Sequence, residues 1–354
     1  MDDPQLRLRA NVADLYERFP YPPLGPLATL FQKVRWEERQ TLNYLALYGV
    51  SFGSTAGAAE RPRILIAGCG TFEPIVVALA NPHAEIVAID LSNRSLELLK
   101  RNARMKGVAN RILCLQADLL DLPESLGQFD FVIATGVLHH LPDPLAGFRS
   151  LAARSRPRTV FRFMVYSAWG RALLYATKRL AAELGVTTPA GLRAMIDSLP
   201  AAHPYKIYFH LYSDTDTDAG LADGYLHPCD TPFTARELGH ALANAGLEEV
   251  LFLHAPEARP CAGEDLWGDL AVLEAFGELE ENFRFVARRA DAPLPSRPAG
   301  YEWNEALPAK GRLFSRLLGR EISFDRAVPP FLLGPERVRE LASALFLIPQ
   351  GEDA

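Results

Sequence analysis

Between residues 63 and 167 short continuous apolar runs alternate with amphipathic stretches, and that alternation predicts most of the architecture. RILIAG (63–68), EIVAID (85–90), RILCLQAD (111–118), FDFVIATG (129–136) and TVFRFMVYS (159–167) read as short strands. Their lack of polar alternation is the mark of a parallel sheet buried on both faces. FEPIVVALAN, SNRSLELLKRNARMKG and PLAGFRSLAARS between them carry the apolar spacing of helices, and Asn81-Pro82 stops the first. Right-handed crossovers then give a Rossmann-like, doubly wound α/β sheet, its ligand crevice lying at the carboxyl ends of the strands.

Outside that stretch the pattern changes. Residues 5–20 predict a helix ended by the proline-rich FPYPPLGP, and a second helical pattern runs through about 28–48. Residues 1–60 are therefore expected to form an N-terminal helical cap or lid, and 61–291 the main domain, with a helical insertion at about 168–230. TARELGHALANAGLEEVLFLH predicts a helix, a stop at Gly246 and a strand, with NFRFVARRA as an antiparallel last strand. Residues 292–354, proline-rich and then helical in pattern, make a C-terminal extension expected to cap the pocket or build a homodimer.

The chemistry gathers at the strand ends. The first strand runs into Gly68-Cys69-Gly70 and then a helix, a turn that lets backbone approach a ligand or merely turns tightly. Asp90 ends the second strand, 22 residues after Gly68, where a carboxylate can accept from ribose hydroxyls. Asp118 follows the third strand, within reach of an adenine amino group. Glu73 stands where a dinucleotide fingerprint has its third glycine. It would repel a pyrophosphate and suit a positively charged cofactor, or it simply complements its helix dipole. An NAD-dependent oxidoreductase fits poorly.

AGCGT, Asp90, the QAD around Asp118 and FDFVIATGVLHHLPDP together resemble the motifs of class I S-adenosylmethionine-dependent methyltransferases over about residues 60–165. YERFPYPP and AGLADGYLHPCDTPFTARELGHALANAGL extend a looser likeness to methyltransferase-domain proteins. The resemblance implies S-adenosyl-L-methionine as cofactor and S-adenosyl-L-homocysteine as product. It places Gly68 and Gly70 at the methionine part, Asp90 at the ribose, Asp118 at the adenine, and Thr135, Gly136 and Val137 beside the sulfonium, with Ala67, Cys69, Glu73, Leu91 and Leu119 also expected among the cofactor-binding residues. Ile66 replaces the family's usual acid and Phe72 its frequent third glycine.

His139 and His140 follow the fourth strand, where one can serve as a general base or both can order the loop. Tyr21 is either part of a lid or an aromatic staple on the sheet. Asp223, Tyr225 and His227 in the insertion are either substrate contacts or a turn. SDTDTDAGLADGY sets Asp214, Asp216 and Asp218 at calcium-loop spacing, but Ala219 and Tyr225 stand where glycine and glutamate belong, so no metal is expected.

Bulk properties narrow the acceptor. The 354 residues are 49% hydrophobic and 23% charged with a net charge of -6, so no global basic field gathers nucleic acid. Arg94, Lys100, Arg101, Arg104, Lys106 and Arg111 are the residues an RNA methyltransferase would need as a basic stripe, and they read as a solvated helix face. Cys69, Cys114, Cys229 and Cys261 form no CxxC pair, the polar start is no signal peptide, and no long apolar run exists. The expectation is a cytoplasmic enzyme methylating a small molecule, at O or N rather than C. A non-catalytic cofactor-binding protein is the other class left open by Ile66 and Phe72.

Overall fold

A computed structural model describes residues 4–34, 39, 41–211, 213–253, 266–275, 277, 282–293, 300–303, 310–315, 320–325, 330, 333 and 347–350. Strands β1 (Arg63–Ala67), β2 (Glu85–Asp90), β3 (Ile112–Gln116), β4 (Phe129–Thr135), β5 (Ser155–Tyr166), β6 (Leu247–Phe252) and β7 (Asn282–Arg289) build one sheet, in the order β3-β2-β1-β4-β5-β7-β6. The first five pair in parallel, and the sheet reverses outward on either side of β1, which is the doubly wound arrangement. The last strand is antiparallel as expected, but it does not close the sheet. β7 inserts between β5 and β6 and pairs with both.

The two sheet faces follow the two-residue period of a strand. Ile64 and Ile66 join Phe131 and Ile133 beneath the helices α3 (Tyr44–Phe52), α4 (Glu73–Ala80) and α5 (Asn93–Met105). Leu65, Ala67, Val132, Phe161 and Phe163 face the other way, onto α6 (Pro144–Ala153) and α11 (Ala235–Asn244). Ile66, where the family usually carries an acid, is fully buried in this apolar core.

Before β1, α1 (Pro4–Arg18) and α2 (Pro26–Phe31) lie along α5. Polar ties hold them there: Arg94 N–H donates to Glu17 (3.2 Å), Arg101 to the Leu24 carbonyl (2.9 Å) and Lys106 to the carbonyls of Leu30 and Gln32. Those ties occupy the side chains of two of the six basic residues of the supposed nucleic-acid stripe, Arg101 and Lys106. Among the described residues the stretch expected as one helix over 28–48 is interrupted: α2 ends at Phe31 and α3 begins at Tyr44. The side chain of Asn43 accepts from Ala46 N–H and so opens a new helix. After β5 come α7 (Ala172–Glu183), α8 (Pro189–Ser198), α9 (Pro204–Leu211) and α10 (Asp218–Gly224), which carry a small core of their own around Leu192, Ile196, Leu221 and Tyr225.

Residues 292–354 are described only in part, and the helical part expected after the proline-rich stretch falls largely outside the described residues. The described part forms β8 (Gly300–Trp303) paired with β11 (Leu347–Gln350), and β9 (Lys310–Ser315) paired with β10 (Arg320–Asp325). In REISFD the apolar Ile322 and Phe324 alternate with polar neighbours, a two-residue period that favours a strand. Residues 334–346 lie outside the described residues. No helix among the described residues is long and apolar enough to cross a membrane.

Phe285 is fully buried on β7, its ring 5.6 Å from Phe163 and 6.0 Å from Phe252. Phe285→Ala should cost ~3–5 kcal/mol by removing that bridge across three strands. Chemical denaturation measures it, and a loss below ~1 kcal/mol would mean β7 adds little to the core.

Candidate active site

The glycine turn is held by protein before any ligand is considered. Gly68 and Gly70 adopt φ of +60° and +54°, left-handed values that disfavour other residues. A Cβ on Gly68 would lie 2.7 Å from Val137, and one on Gly70 would lie 2.6 Å from the Tyr21 carbonyl oxygen. Asp90 fixes the turn: Oδ2 accepts from Gly70 N–H (2.9 Å) and Oδ1 from Ser92 N–H (3.0 Å). Burial pushes its carboxyl up from the usual range, while the two backbone donors pull it back. The FPYPP segment then locks onto the turn. Thr71 donates from its backbone to Tyr21 O (3.2 Å) and from its hydroxyl to Pro22 O (2.6 Å).

Over this turn, at the carboxyl ends of β1, β2, β4 and β5, lies a cavity of about 290 Å³, near the lower edge of the ~300–1,000 Å³ usual for ligand pockets. Gly68, Cys69, Gly70, Glu73, Asp90, Leu91, Asp118, Thr135, Gly136 and Val137 line it, as the sequence expected. Ala67 and Leu119 are buried behind the wall, and Leu120 takes the place given to Leu119. Asp118 accepts from Leu120 N–H (2.8 Å) and pairs with Arg9 of α1 (3.0 Å). Glu73 accepts from the Thr135 hydroxyl (2.7 Å) and lies 3.5 Å from Arg162 of β5, which also donates to Thr135 (2.5 Å). Burial raises the Glu73 carboxyl, with Arg162 and Thr135 offsetting it. The charge of Glu73 is therefore balanced inside the protein.

Sequence reasoning missed Arg9, Tyr16, Tyr166, Arg171 and Asn282, which also line the cavity, and Arg162 behind them. Arg162 did leave a signal, because an arginine inside FRFMV must find a buried partner. Tyr166 ends a strand at the crevice side. Arg9 and Tyr16 left none, since their partners Asp118 and Asp223 lie 109 and 207 residues away.

The histidines form a buried stack. The Tyr166 ring lies 3.6 Å from that of His139, and the His140 ring 3.7 Å from that of His227. His140 Nδ1–H donates to the Cys229 carbonyl (3.0 Å), so its Nε2 accepts from His139 Nε2 (3.2 Å). His140 borders the cavity and His139 does not, and both nitrogens of His140 are engaged. His227 accepts through Nδ1 from Cys229 N–H (3.1 Å). Tyr225 and His227 stand behind the wall, while Tyr21 and Asp223 line it. Nearby Asp230 pairs with Lys178 (3.1 Å), so the grouping of His139, His140 and Asp230 already carries its own cation.

At the end of the cavity away from Asp118, Asp223 accepts from Tyr16 (2.6 Å) and Tyr166 (3.1 Å), and Asp214 from Tyr21 (2.9 Å). Burial and these carboxylates push all three phenols up, away from ionisation. Asp214 thus serves as a partner for Tyr21, and Asp218 pairs with Arg193 (2.6 Å).

A methyltransferase-domain family matches residues 64–158, the stretch holding the glycine turn, Asp90, Asp118 and the wall at Thr135. The chain belongs to the class I S-adenosylmethionine-dependent methyltransferases. An uncharacterized protein of Synechococcus sp. is 32% identical over 324 residues, 83% of this chain and 73% of its own length. A ubiquinone biosynthesis O-methyltransferase of Bordetella avium is 31% identical over 102 residues, 29% of this methyltransferase and 42% of that one. Among solved structures, PKMT2 from Rickettsia typhi shares the fold at a TM-score of 0.56 and 17% identity, covering 72% of this chain and 54% of that one. Its complex with AdoHcy gives 0.55 and 17%, covering 74% and 57%. The chain thus spans little more than half the length of that structural relative.

The histidine stack makes a pH prediction. Burial lowers His140 to about 3 and His227 to about 2, and lowers His139 as well, so all three are neutral when folded. In the unfolded chain they take up protons near ~6.5. Stability that is intact above that pH is therefore lost progressively as pH falls toward about 3. Buried carboxylates act in the opposite sense, so the informative quantity is a difference between variants. Melting temperatures between about pH 7 and 5 should fall more steeply for the wild type than for His227→Gln. Parallel curves would refute the contribution of His227.

Proposed function

We propose that this methyltransferase carries the methyl group of S-adenosyl-L-methionine to a small-molecule acceptor in the cytoplasm, at oxygen or nitrogen. The observation that carries this reading is the two-ended cavity. Its Asp118 end holds carboxylates on successive strand ends, and its other end holds Asp223 among three tyrosines. The first end fits the cofactor. Each Asp90 oxygen holds one N–H and keeps a second lone pair for a ribose hydroxyl, while Val12, Leu91 and Leu120 offer apolar surface for an adenine. Asp118, steadied by Arg9, faces the adenine amino group, and Gly68, Gly70 and Glu73 face the methionine part. Bound there, the cofactor supplies an electrophilic methyl carbon.

The chain's own task is alignment and exclusion of water. The α1 helix and Tyr21 form a lid pinned by Thr71, which favours a small enclosed acceptor over a polymer. His140 shapes the wall, since its nitrogens are spent, and proton acceptance falls to Asp223.

Calorimetric titration with S-adenosyl-L-homocysteine, and separately with NADH, tests the reading. Micromolar binding of the first alone is expected, and binding of neither would remove the enzymatic reading. Asp90→Ala should weaken S-adenosyl-L-homocysteine by more than about tenfold, the loss of charged hydrogen bonds worth ~1.5–3 kcal/mol. Unchanged affinity would reject the ribose assignment.

A further inference from the structure

The acceptor end is rich in hydrogen-bond acceptors. The hydroxyl protons of Tyr16 and Tyr166 go to Asp223, and that of Tyr21 goes to Asp214. What these five side chains present to the cavity is oxygen lone pairs, with the rings of Tyr16 and Tyr21 beside them. Of the two lining arginines, Arg9 is paired with Asp118. Arg171 donates from Nε to Asn282 (2.9 Å) and lies 3.4 Å above the centre of the Tyr166 ring. Two carboxylates thus stand against one guanidinium at this end, leaving an excess negative charge.

A ligand that fits must bring several donors and a positive charge. A hydroxyl brings one donor, whereas an aliphatic ammonium brings three and accepts nothing. The part-buried Asp223, with the exposed Asp214 beside it, favours such a cation, and the faces of Tyr16 and Tyr21 add cation–π attraction, those of Tyr166 being taken by His139 and Arg171. Gly220 helps to hold the geometry. A Cβ there would lie 1.9 Å from the Asp214 carbonyl oxygen, so the turn bearing Asp214 packs directly on the helix bearing Asp223.

We infer that the acceptor is an aliphatic amine, held as its ammonium between Asp223 and Asp214, beside the rings of Tyr16 and Tyr21 and the hydroxyl of Tyr166. This rests on the methyl-transfer reading above and names its substrate class. Asp223 first takes one ammonium proton and frees the nitrogen lone pair. That pair then forms the new N–C bond, and the C–S bonding pair returns to sulfur, leaving a thioether. The product is a secondary ammonium whose two N–H groups meet the same oxygens, and the proton on Asp223 passes to solvent.

The test uses the full chain saturated with S-adenosyl-L-homocysteine, titrated calorimetrically with millimolar n-hexylamine and, separately, n-hexanol. Saturation itself checks the underlying reading, since a chain that does not take up S-adenosyl-L-homocysteine fails there and not here. The amine should bind at least about tenfold tighter than the alcohol, and Asp223→Asn should remove that preference while S-adenosyl-L-homocysteine affinity stays unchanged. Asp214→Asn, further from the core, should reduce the preference without abolishing it, and serves if Asp223→Asn does not fold. Equal binding of amine and alcohol, no binding of amine to the wild type, or a preference that survives both substitutions would overturn the inference.

Discussion

The carboxylate of Asp90 is the fixed point from which the site is built. It is only 8% exposed, so it cannot rely on water and takes backbone donors from both sides of the crevice. Through Gly70 it sets the turn after β1, and that turn receives the Tyr21 carbonyl at a distance no larger residue would permit. The helix α1 and the FPYPP segment can then cross the mouth of the cavity. Gly70 thus answers to the lid as well as to the ligand, two demands that coincide on one residue.

The rest of the site is an exercise in charge balance. Arg162 offsets Glu73, Arg9 offsets Asp118 and Lys178 offsets Asp230, each pair largely shielded from solvent. A partly buried charge without a partner is costly, so these pairs keep the folded state viable while placing polar atoms around a cavity. Asp223 breaks the pattern. Its partners are neutral phenols rather than cations, which leaves its charge directed at whatever enters.

What was legible in the sequence was whatever depended on short-range order. The period of the apolar runs fixes the strands and helices from Arg63 to Tyr166, and strand ends then place Asp90, Asp118 and Thr135 at one crevice. Contacts set by docking were not legible. Nothing near Tyr16 announces Asp223, and nothing in LHHLP announces that His227 will stack on His140. The break between α2 and α3 was lost because the pattern was read as one periodic stretch, although the capping Asn43 was there to mark a second start. In the C-terminal extension the two-residue alternation of REISFD was hidden by its proline-rich surroundings.

The position of β7 has a consequence for how the chain comes off the ribosome. β5 is complete at Tyr166, but its outer neighbour is not synthesised until Arg289, more than a hundred residues later. β6 is made in the meantime and pairs with nothing in the sheet except β7. The nascent protein therefore carries an open sheet edge through synthesis of the whole insertion, and an unpaired edge is a template for mispairing. Closure is a late, long-range event, with the cost in chain entropy that such contacts impose. The compact helical insertion, with a core of its own, can fold during that interval.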